Sequence, residues 1–344
     1  MKKILISLLV LVSVSLWAED LKLDIMYTND LHGGIDRNPA TFMNPQFPPM
    51  LGGGASAATY IKQVRALSDG NKRESFLFDI GDFFQGRPIG SLTNGEAVIE
   101  YMNKIQYDLT VLGNHEYDIG EETLKKTLSL AKFPILSSNI YKKGTKELVD
   151  YVTPYLIFNK LGIKIGVIGL TTTDTEKMSF PDHIKNVDFG DEKEALTKYV
   201  KILREQEKVD LLIVTMHAGV PFNEKEEYEK RYGKNAKKQT QYWGLDAQQL
   251  AHEVDGIDVI FGGHTHDGVP QPTEVKNAGG VTLVTNAGSN GKFLGVMDFD
   301  VRDGKVKGWK YRLLPVFSNL LPADAGMEAL IKKIRAPFEA QLNE

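Results

Sequence analysis

Short apolar runs recur along this chain, each closed by Gly, Asp, Asn or His, with amphipathic stretches between them. Residues 21–28 alternate enough to predict a strand, and a Pro- and Met-rich loop follows over 38–54. The pattern then predicts a helix over 55–67, a buried strand over 75–80, a helix over 97–105 and a strand over 109–112. A helix over 121–131 and a strand over 135–138 continue it. Such β-α-β alternation implies a mainly parallel sheet. Further on, 155–159 and 163–170 are joined by Lys160-Leu161-Gly162 and read as a hairpin. A helix over 191–207, a strand from 211 running on to His217, a helix over 245–254 and a strand over 259–261 come next. After Val281 the pattern gives three strands, with Asp303-Gly304 in one of the turns. The expected architecture is α/β: two βαβ-like halves forming a sandwich of two mixed sheets, with helices outside. Residues 325–342 put Met327, Leu330, Ile331, Ile334, Phe338 and Leu342 on one helical stripe, which Pro337 would kink or end. That stripe needs a surface to bury against, and a partner chain docking over 325–342 is one candidate.

Composition narrows the function. With 344 residues, 42% hydrophobic and 25% charged, the chain can build one large core or two small ones. A net charge of −4 argues against nucleic-acid binding through a basic surface. There is no cysteine, so disulfides and lipid attachment through an N-terminal Cys are excluded. A metal site here must use His, Asp, Glu and Asn, a donor set suited to Mn, Zn or Fe. At the N-terminus, Met1-Lys2-Lys3 is a basic segment, residues 4–16 are apolar, and Ala18 offers a cleavage point before Glu19. This reads as a signal peptide over 1–18, and implies a periplasmic or secreted protein.

The candidate chemistry sits where the apolar runs end. Asp30 and His32 are two apart, and in extended backbone they would face one metal together. Asp82 follows Gly81; its carboxylate has two oxygens and can bridge two cations, which an imidazole cannot do. Gly113-Asn114-His115-Glu116-Tyr117-Asp118 is the sharpest motif. Asn114 offers a neutral carbonyl ligand. His115 should point elsewhere, toward proton or charge work on a substrate, with Asp118 fixing its tautomer. His217 closes a strand, and His264 and His266 would lie on one extended face, an arrangement that suits a metal. The set is what a two-metal hydrolytic centre requires. His183 and His252 have no such context and read as non-functional.

Taken together, these residues resemble the calcineurin-like metallophosphoesterases, and within them the exported 5′-nucleotidase and 2′,3′-cyclic-nucleotide phosphodiesterase group. The resemblance spans residues 21–315. Its most specific stretch runs from Gly81-Asp82-Phe83-Phe84-Gln85-Gly86 to Gly113-Asn114-His115-Glu116-Tyr117-Asp118-Ile119-Gly120, with Thr28-Asn29-Asp30-Leu31-His32-Gly33 and Gly262-Gly263-His264-Thr265-His266 agreeing in order. It implies a four-layered α/β/β/α sandwich and two divalent ions. Asp30, His32, Asp82 and His266 would hold one ion, and Asp82, Asn114, His217 and His264 the other, with Asp82 as the bridge. His115 and Asp118 would form the catalytic dyad, with Asn114 and His115 also meeting the substrate. The implied activity is hydrolysis of nucleotides or related phosphate esters by metal-activated hydroxide.

Two departures from that family matter. The family's nucleotidases carry a C-terminal specificity domain, whereas this chain reads as a catalytic domain over 19–320 followed by a linker-like amphipathic helix over 321–344. It also has a charged insertion between His217 and Leu245, with Tyr228, Tyr232, Tyr242 and Trp243. That insertion reads either as a solvated helical excursion or as a substitute substrate platform, with Tyr242 and Trp243 as contacts. Competing readings are a catalytic half needing a partner chain, a thiosulfohydrolase-like enzyme and a non-catalytic metal-bound subunit. Asn114 and His115 favour the phosphoesterases over the thiosulfohydrolases.

Overall fold

The computed structural model of the chain describes residues 21–233 and 244–342. The expected signal segment, Tyr242 and Trp243 lie outside these described residues.

The first half builds β1 (Leu21–Thr28), a short hairpin of β2 (Arg37–Pro39) and β3 (Met50–Gly52), then α1 (Gly54–Ala66) and β4 (Arg73–Asp79). It continues through α2 (Pro88–Leu92), α3 (Glu96–Ile105), β5 (Leu109–Val111), α4 (Glu121–Leu128), β6 (Ile135–Leu136) and β7 (Ile140–Lys142). The second half holds the hairpin β8 (Tyr155–Lys160) and β9 (Ile163–Thr171), then α5 (Thr175–Met178), β10 (Val187–Phe189) and α6 (Glu192–Lys201). β11 (Leu211–His217), α7 (Glu224–Tyr232), α8 (Ala247–Glu253), β12 (Val259–Gly262), β13 (Thr273–Asn277) and β14 (Gly280–Asn286) follow. β15 (Phe293–Arg302), β16 (Lys305–Pro315), α9 (Ala325–Arg335) and α10 (Glu339–Leu342) complete the described chain.

Two six-stranded sheets result, ordered β16-β15-β1-β4-β5-β6 and β13-β14-β12-β11-β9-β8. In the first, β1, β4, β5 and β6 are parallel, and β15 runs antiparallel to its two neighbours, β1 and β16. In the second, β14, β12, β11 and β9 are parallel, with β13 and β8 antiparallel at the edges. The two-residue strand period assigns the layers. Leu23, Ile25 and Tyr27 of β1 meet Ile163, Ile165 and Val167 of β9 and Leu211 and Ile213 of β11 in the core between the sheets. Tyr27 stacks on Phe261 of β12 there, ring centroids 4.4 Å apart. The alternate residues face outward. Met26 and Leu77 pack under α1, α3 and α9, and Leu212, Val214 and Met216 pack under α6 and α8. This is the four-layered α/β/β/α sandwich.

Several local expectations change. The segment expected as loop over 38–54 contains the β2–β3 hairpin. The helix expected over 191–207 is α-helical only to Lys201 and continues as a π-turn over Ile202–Gln206. β13 was not foreseen, because its buried positions, Thr273 and Val275, are too few to register as a period. The terminal stripe finds its surface within the chain. Met327, Ile331 and Ile334 are buried in the same core as α1 and α3, with Leu330, Phe338 and Leu342 packed at its margin. That face is therefore already covered, and the argument for a partner chain at 325–342 loses its basis. Pro337 sits in a 3-10 turn between α9 and α10, where the straight helix ends. Among the described residues no helix is long and apolar enough to cross a membrane.

Candidate metal centre

The carboxyl ends of the parallel strands in both sheets open onto one edge, the place where α/β sheets present ligand sites. Asp30 lies just past β1, Asp82 past β4, Asn114 past β5 and His264 and His266 past β12, while His217 is the last residue of β11. Two groups of convergent donors form: Asp30, His32 and His266, and beside them Asp82, His217 and His264. Within each group one donor atom per residue lies within 4.8 Å of the others. All six except His264 and His266 are buried.

The two groups touch through the carboxylates. Asp82 Oδ2 is 2.9 Å from His217 Nε2 and 3.9 Å from His32 Nε2. Asp30 Oδ1 is 3.3 Å from His266 Nε2, 3.7 Å from His32 Nε2 and 3.8 Å from His217 Nε2. The second oxygen of each carboxylate is committed to backbone. Asp82 Oδ1 accepts the His115 N–H at 2.9 Å, and Asp30 Oδ2 accepts the His264 N–H at 2.9 Å. A bridge through Asp82 would therefore use Oδ2 alone, and not one oxygen for each cation.

The backbone departs from the extended geometry expected at these motifs. Asp30, His32, Asp82, His264 and His266 all have positive φ, between 49° and 80°. Each such non-glycine residue costs on the order of 1–3 kcal/mol and persists only where its surroundings over-determine it. Asp30 and His32 still reach one group, by a left-handed turn. His264 and His266 do not share a face: His264 joins Asp82 and His217, and His266 joins Asp30 and His32. Gly113 clears the space, since a Cβ there would lie 2.1 Å from Asp82 Oδ1.

The electrostatics are those of a cation hole. His32 Nδ1 donates to the Gln85 carbonyl and His217 Nδ1 to the Ile80 carbonyl at 2.6 Å, which turns each Nε2 inward. His32 Nε2 and His266 Nε2 then converge at 2.8 Å. His217 Nε2 approaches Asp82 Oδ2 without the alignment of a hydrogen bond, and the buried Asn114 Oδ1 has no partner either. Burial disfavours a charged His217, yet the Asp82 and Asp30 carboxylates push it up to about 10. Burial raises Asp82 in turn, but the His217, His32 and His115 charges outweigh it and hold the group well below the usual range. Burial and the His217 charge push His264 down to about 4. Converging lone pairs, an orphaned carbonyl and paired carboxylates fit divalent cations with mixed N and O ligation.

On the rim, His115 Nδ1 meets Asp118 Oδ2 at 2.6 Å. The Asp118 hydrogen bond raises His115 to about 9 against the effect of burial. The His115 ring lies 5.4 Å from that of His32, centroid to centroid, with its plane turned by 72°. His115 is thus beside the donor groups and outside them, while Asn114 points into the interior.

Two residues had no assigned role in the sequence. Glu116 is fully buried, and its carboxylate accepts the N–H groups of Asp82 at 2.9 Å, Phe83 at 2.8 Å and Gly113 at 2.6 Å. It ties the β4 loop to the β5 loop. Asp79, also fully buried, accepts from Thr28 and Thr110, each at 2.9 Å, and so pins the ends of β1 and β5 to β4. Burial pushes Asp79 up to about 7. An acid at an otherwise apolar strand end was the available signal for Asp79. In the insertion, Tyr232 stacks on His252 at 3.9 Å and Tyr228 accepts the Lys276 N–H at 3.1 Å. Tyr228 thus ties α7 to β13, and Tyr232 packs it on α8. His183 sits against Gly120, outside both donor groups.

A fold of two mixed sheets with this donor set at one edge defines a metallophosphoesterase class. The chain belongs to the calcineurin-like phosphoesterase family, whose sequence model matches residues 23–268. It is 36% identical over 309 residues to a 5′-nucleotidase of Vibrio cholerae, an alignment covering 86% of this chain and 52% of that protein. Among solved structures, a 5′-nucleotidase precursor from Thermus thermophilus superposes with a TM-score of 0.76 at 27% identity, over 93% of this chain and 59% of the other. A sulfate thiohydrolase from Thermus thermophilus reaches the same TM-score of 0.76 at 20% identity, over 92% of this chain and 61% of the other, and so shares the fold. The chain spans about half the length of the curated relatives it matches.

Proposed function

We propose that the chain is an exported two-metal phosphoesterase acting on nucleotides or related phosphate esters. The observation that carries this reading is the pair of adjacent donor groups facing one carboxylate oxygen, Asp82 Oδ2, with the orphaned Asn114 Oδ1 beside them. Asp30, His32, Asp82 and His266 would hold one cation, and Asp82, Asn114, His217 and His264 the other. When bound, two divalent cations lower the pKa of water and neutralise phosphoryl oxygens. The cations would be Mn, Zn or Fe, by the N and O donor set. The protein's own contribution is orientation and proton delivery. His32 and His217 are held in one tautomer by backbone carbonyls. His115, kept protonated at neutral pH by Asp118, gives its proton to the departing ester oxygen or stabilises its charge. A purely structural metal site needs ligands only, so the intact His115–Asp118 pair favours catalysis.

The substrate proposal rests on relatives named 5′-nucleotidases. The likeness in fold to a sulfate thiohydrolase does not separate the two chemistries. Asn114 and His115 favour phosphate esters. Export rests on the basic and apolar segment ending at Ala18. The test is kcat/KM of the chain from Glu19 on, with and without Mn, across nucleoside monophosphates, 2′,3′-cyclic nucleotides, an aryl phosphate and a thiosulfate ester. Metal-dependent turnover of the phosphates is expected. Turnover of the thiosulfate ester alone, or of nothing, overturns the reading.

A further inference from the structure

The rim next to the Asp30–His32–His266 group carries two cations that the proposed chemistry does not use. Arg87 follows the β4 loop, and its backbone N–H donates to the His32 carbonyl at 2.7 Å. Lys292 lies in the loop between β14 and β15, where the Asn290 N–H donates to the Asp30 carbonyl at 2.7 Å. Both loops therefore rest on the backbone of the donor residues themselves. The turn at Gly33-Gly34 is what lets them close in. A Cβ on Gly33 would lie 3.1 Å from Arg87 Cβ, and one on Gly34 would lie 2.6 Å from the Asn290 carbonyl.

Arg87 and Lys292 are both half-buried, and no acid pairs with either among the described residues. Burial, and then the charge of Arg87, lowers Lys292, so the two cations act on each other. A cation taken partly out of water is favoured by an anionic partner. The Lys292 ammonium lies over the ring of Phe42, its centroid 5.8 Å away. Phe42 is itself 68% exposed, on the loop between β2 and β3. A cation over an aromatic face is stabilised without being neutralised, so the positive charge stays available to an incoming anion.

We infer that Arg87 and Lys292 form an anion subsite, flanked by Phe42, that selects phosphate esters carrying a second anionic group on the leaving side. Rather than assisting the phosphoryl centre, the pair reads what is attached to it. Two like charges held together on the rim are each stabilised when one anion spans them, and a guanidinium offers that anion a fork of donors. This inference rests on the phosphoesterase reading for its substrate class, although the subsite itself is testable apart from turnover.

The experiment compares the metal-loaded wild type with Arg87→Met and Lys292→Met. Two readouts are taken: kcat/KM for a nucleoside diphosphate against nitrophenyl phosphate, and calorimetric affinity for phosphonoacetate against methylphosphonate. The second pair differs only in the added carboxylate and is not hydrolysed. Each variant is expected to lose about 10-fold or more in kcat/KM for the diphosphate and less than about 3-fold for the aryl ester, as for a lost charge-assisted contact. It should also lose the preference for phosphonoacetate. Equal losses on both esters, or an unchanged phosphonoacetate preference, overturn the subsite. If the wild type hydrolyses neither ester, the phosphoesterase reading fails, and the binding pair alone decides the subsite.

Discussion

Replacing Glu116 with Gln tests how the centre is held open. The Glu116 carboxylate is fully buried and accepts three backbone N–H groups, those of Gly113, Asp82 and Phe83. Gln has nearly the same shape but only one acceptor oxygen. If that oxygen keeps the Gly113 and Asp82 donors, the Phe83 N–H faces an NH2 group, donor against donor. One buried donor left unsatisfied costs about 1–3 kcal/mol. The strain falls on the two loops that carry Asp82 and Asn114, so metal binding should absorb much of it. About 1–3 kcal/mol corresponds to roughly 5- to 150-fold in affinity, in line with the roughly 10–100-fold cost of altering groups that orient metal ligands. Alanine would orphan all three donors and endanger the fold, which has only about 5–15 kcal/mol to lose. The assay is competitive metal titration of Glu116→Gln against a chelator, with urea denaturation in parallel and turnover at saturating metal. Weakened metal affinity with turnover largely restored at saturation is expected. A variant that loses stability while binding metal as tightly as the wild type would refute the reasoning, leaving Glu116 as ordinary core.

His115→Ala should keep its metals and lose turnover by roughly 100-fold or more, as for a general acid; loss of metal along with activity would make His115 a ligand. Asp118→Asn removes the largest influence raising His115 to about 9. In the proposed chemistry the protonated imidazole is the working form, so activity should fall as pH rises through its pKa. The alkaline limb of the kcat/KM profile should accordingly move to lower pH in the variant, and an unmoved limb would detach Asp118 from the proton step. Gly113→Ala, whose Cβ would meet Asp82 Oδ1, should lower metal content by elemental analysis, whereas full occupancy would show that the β5 loop yields freely.

The strands that deliver the site were legible because strand ends are marked twice, by the close of an apolar run and by a polar residue after it. His217 at the end of β11 and Asp82 beyond β4 are both of this kind. The alternation over 21–28 likewise foretold a strand, which the structure buries on both faces, with Leu23, Ile25 and Tyr27 on one and Met26 on the other. What periodicity does not carry is the sign of φ. A strand-end D-x-H or H-x-H motif implies extended backbone, yet Asp30, His32, His264 and His266 are left-handed, and this geometry sends His264 and His266 to different donor groups. Glu116 escaped notice because its partners at Asp82 and Phe83 lie 34 and 33 residues away. Nothing local distinguishes it from a surface acid at the start of a helical turn. The terminal stripe was read correctly as apolar, but periodicity names a face without naming what covers it.

The central claim is that two cations share Asp82. Metal content per chain, measured by elemental analysis after dialysis against Mn or Zn, tests it most directly when wild type and Asp82→Asn are compared beside their turnover of an aryl phosphate. The account predicts two ions per wild-type chain, with metal and activity lost together in the variant, because its single inward oxygen serves both groups. Two ions retained in Asp82→Asn, or a single ion in an active wild type, would contradict it.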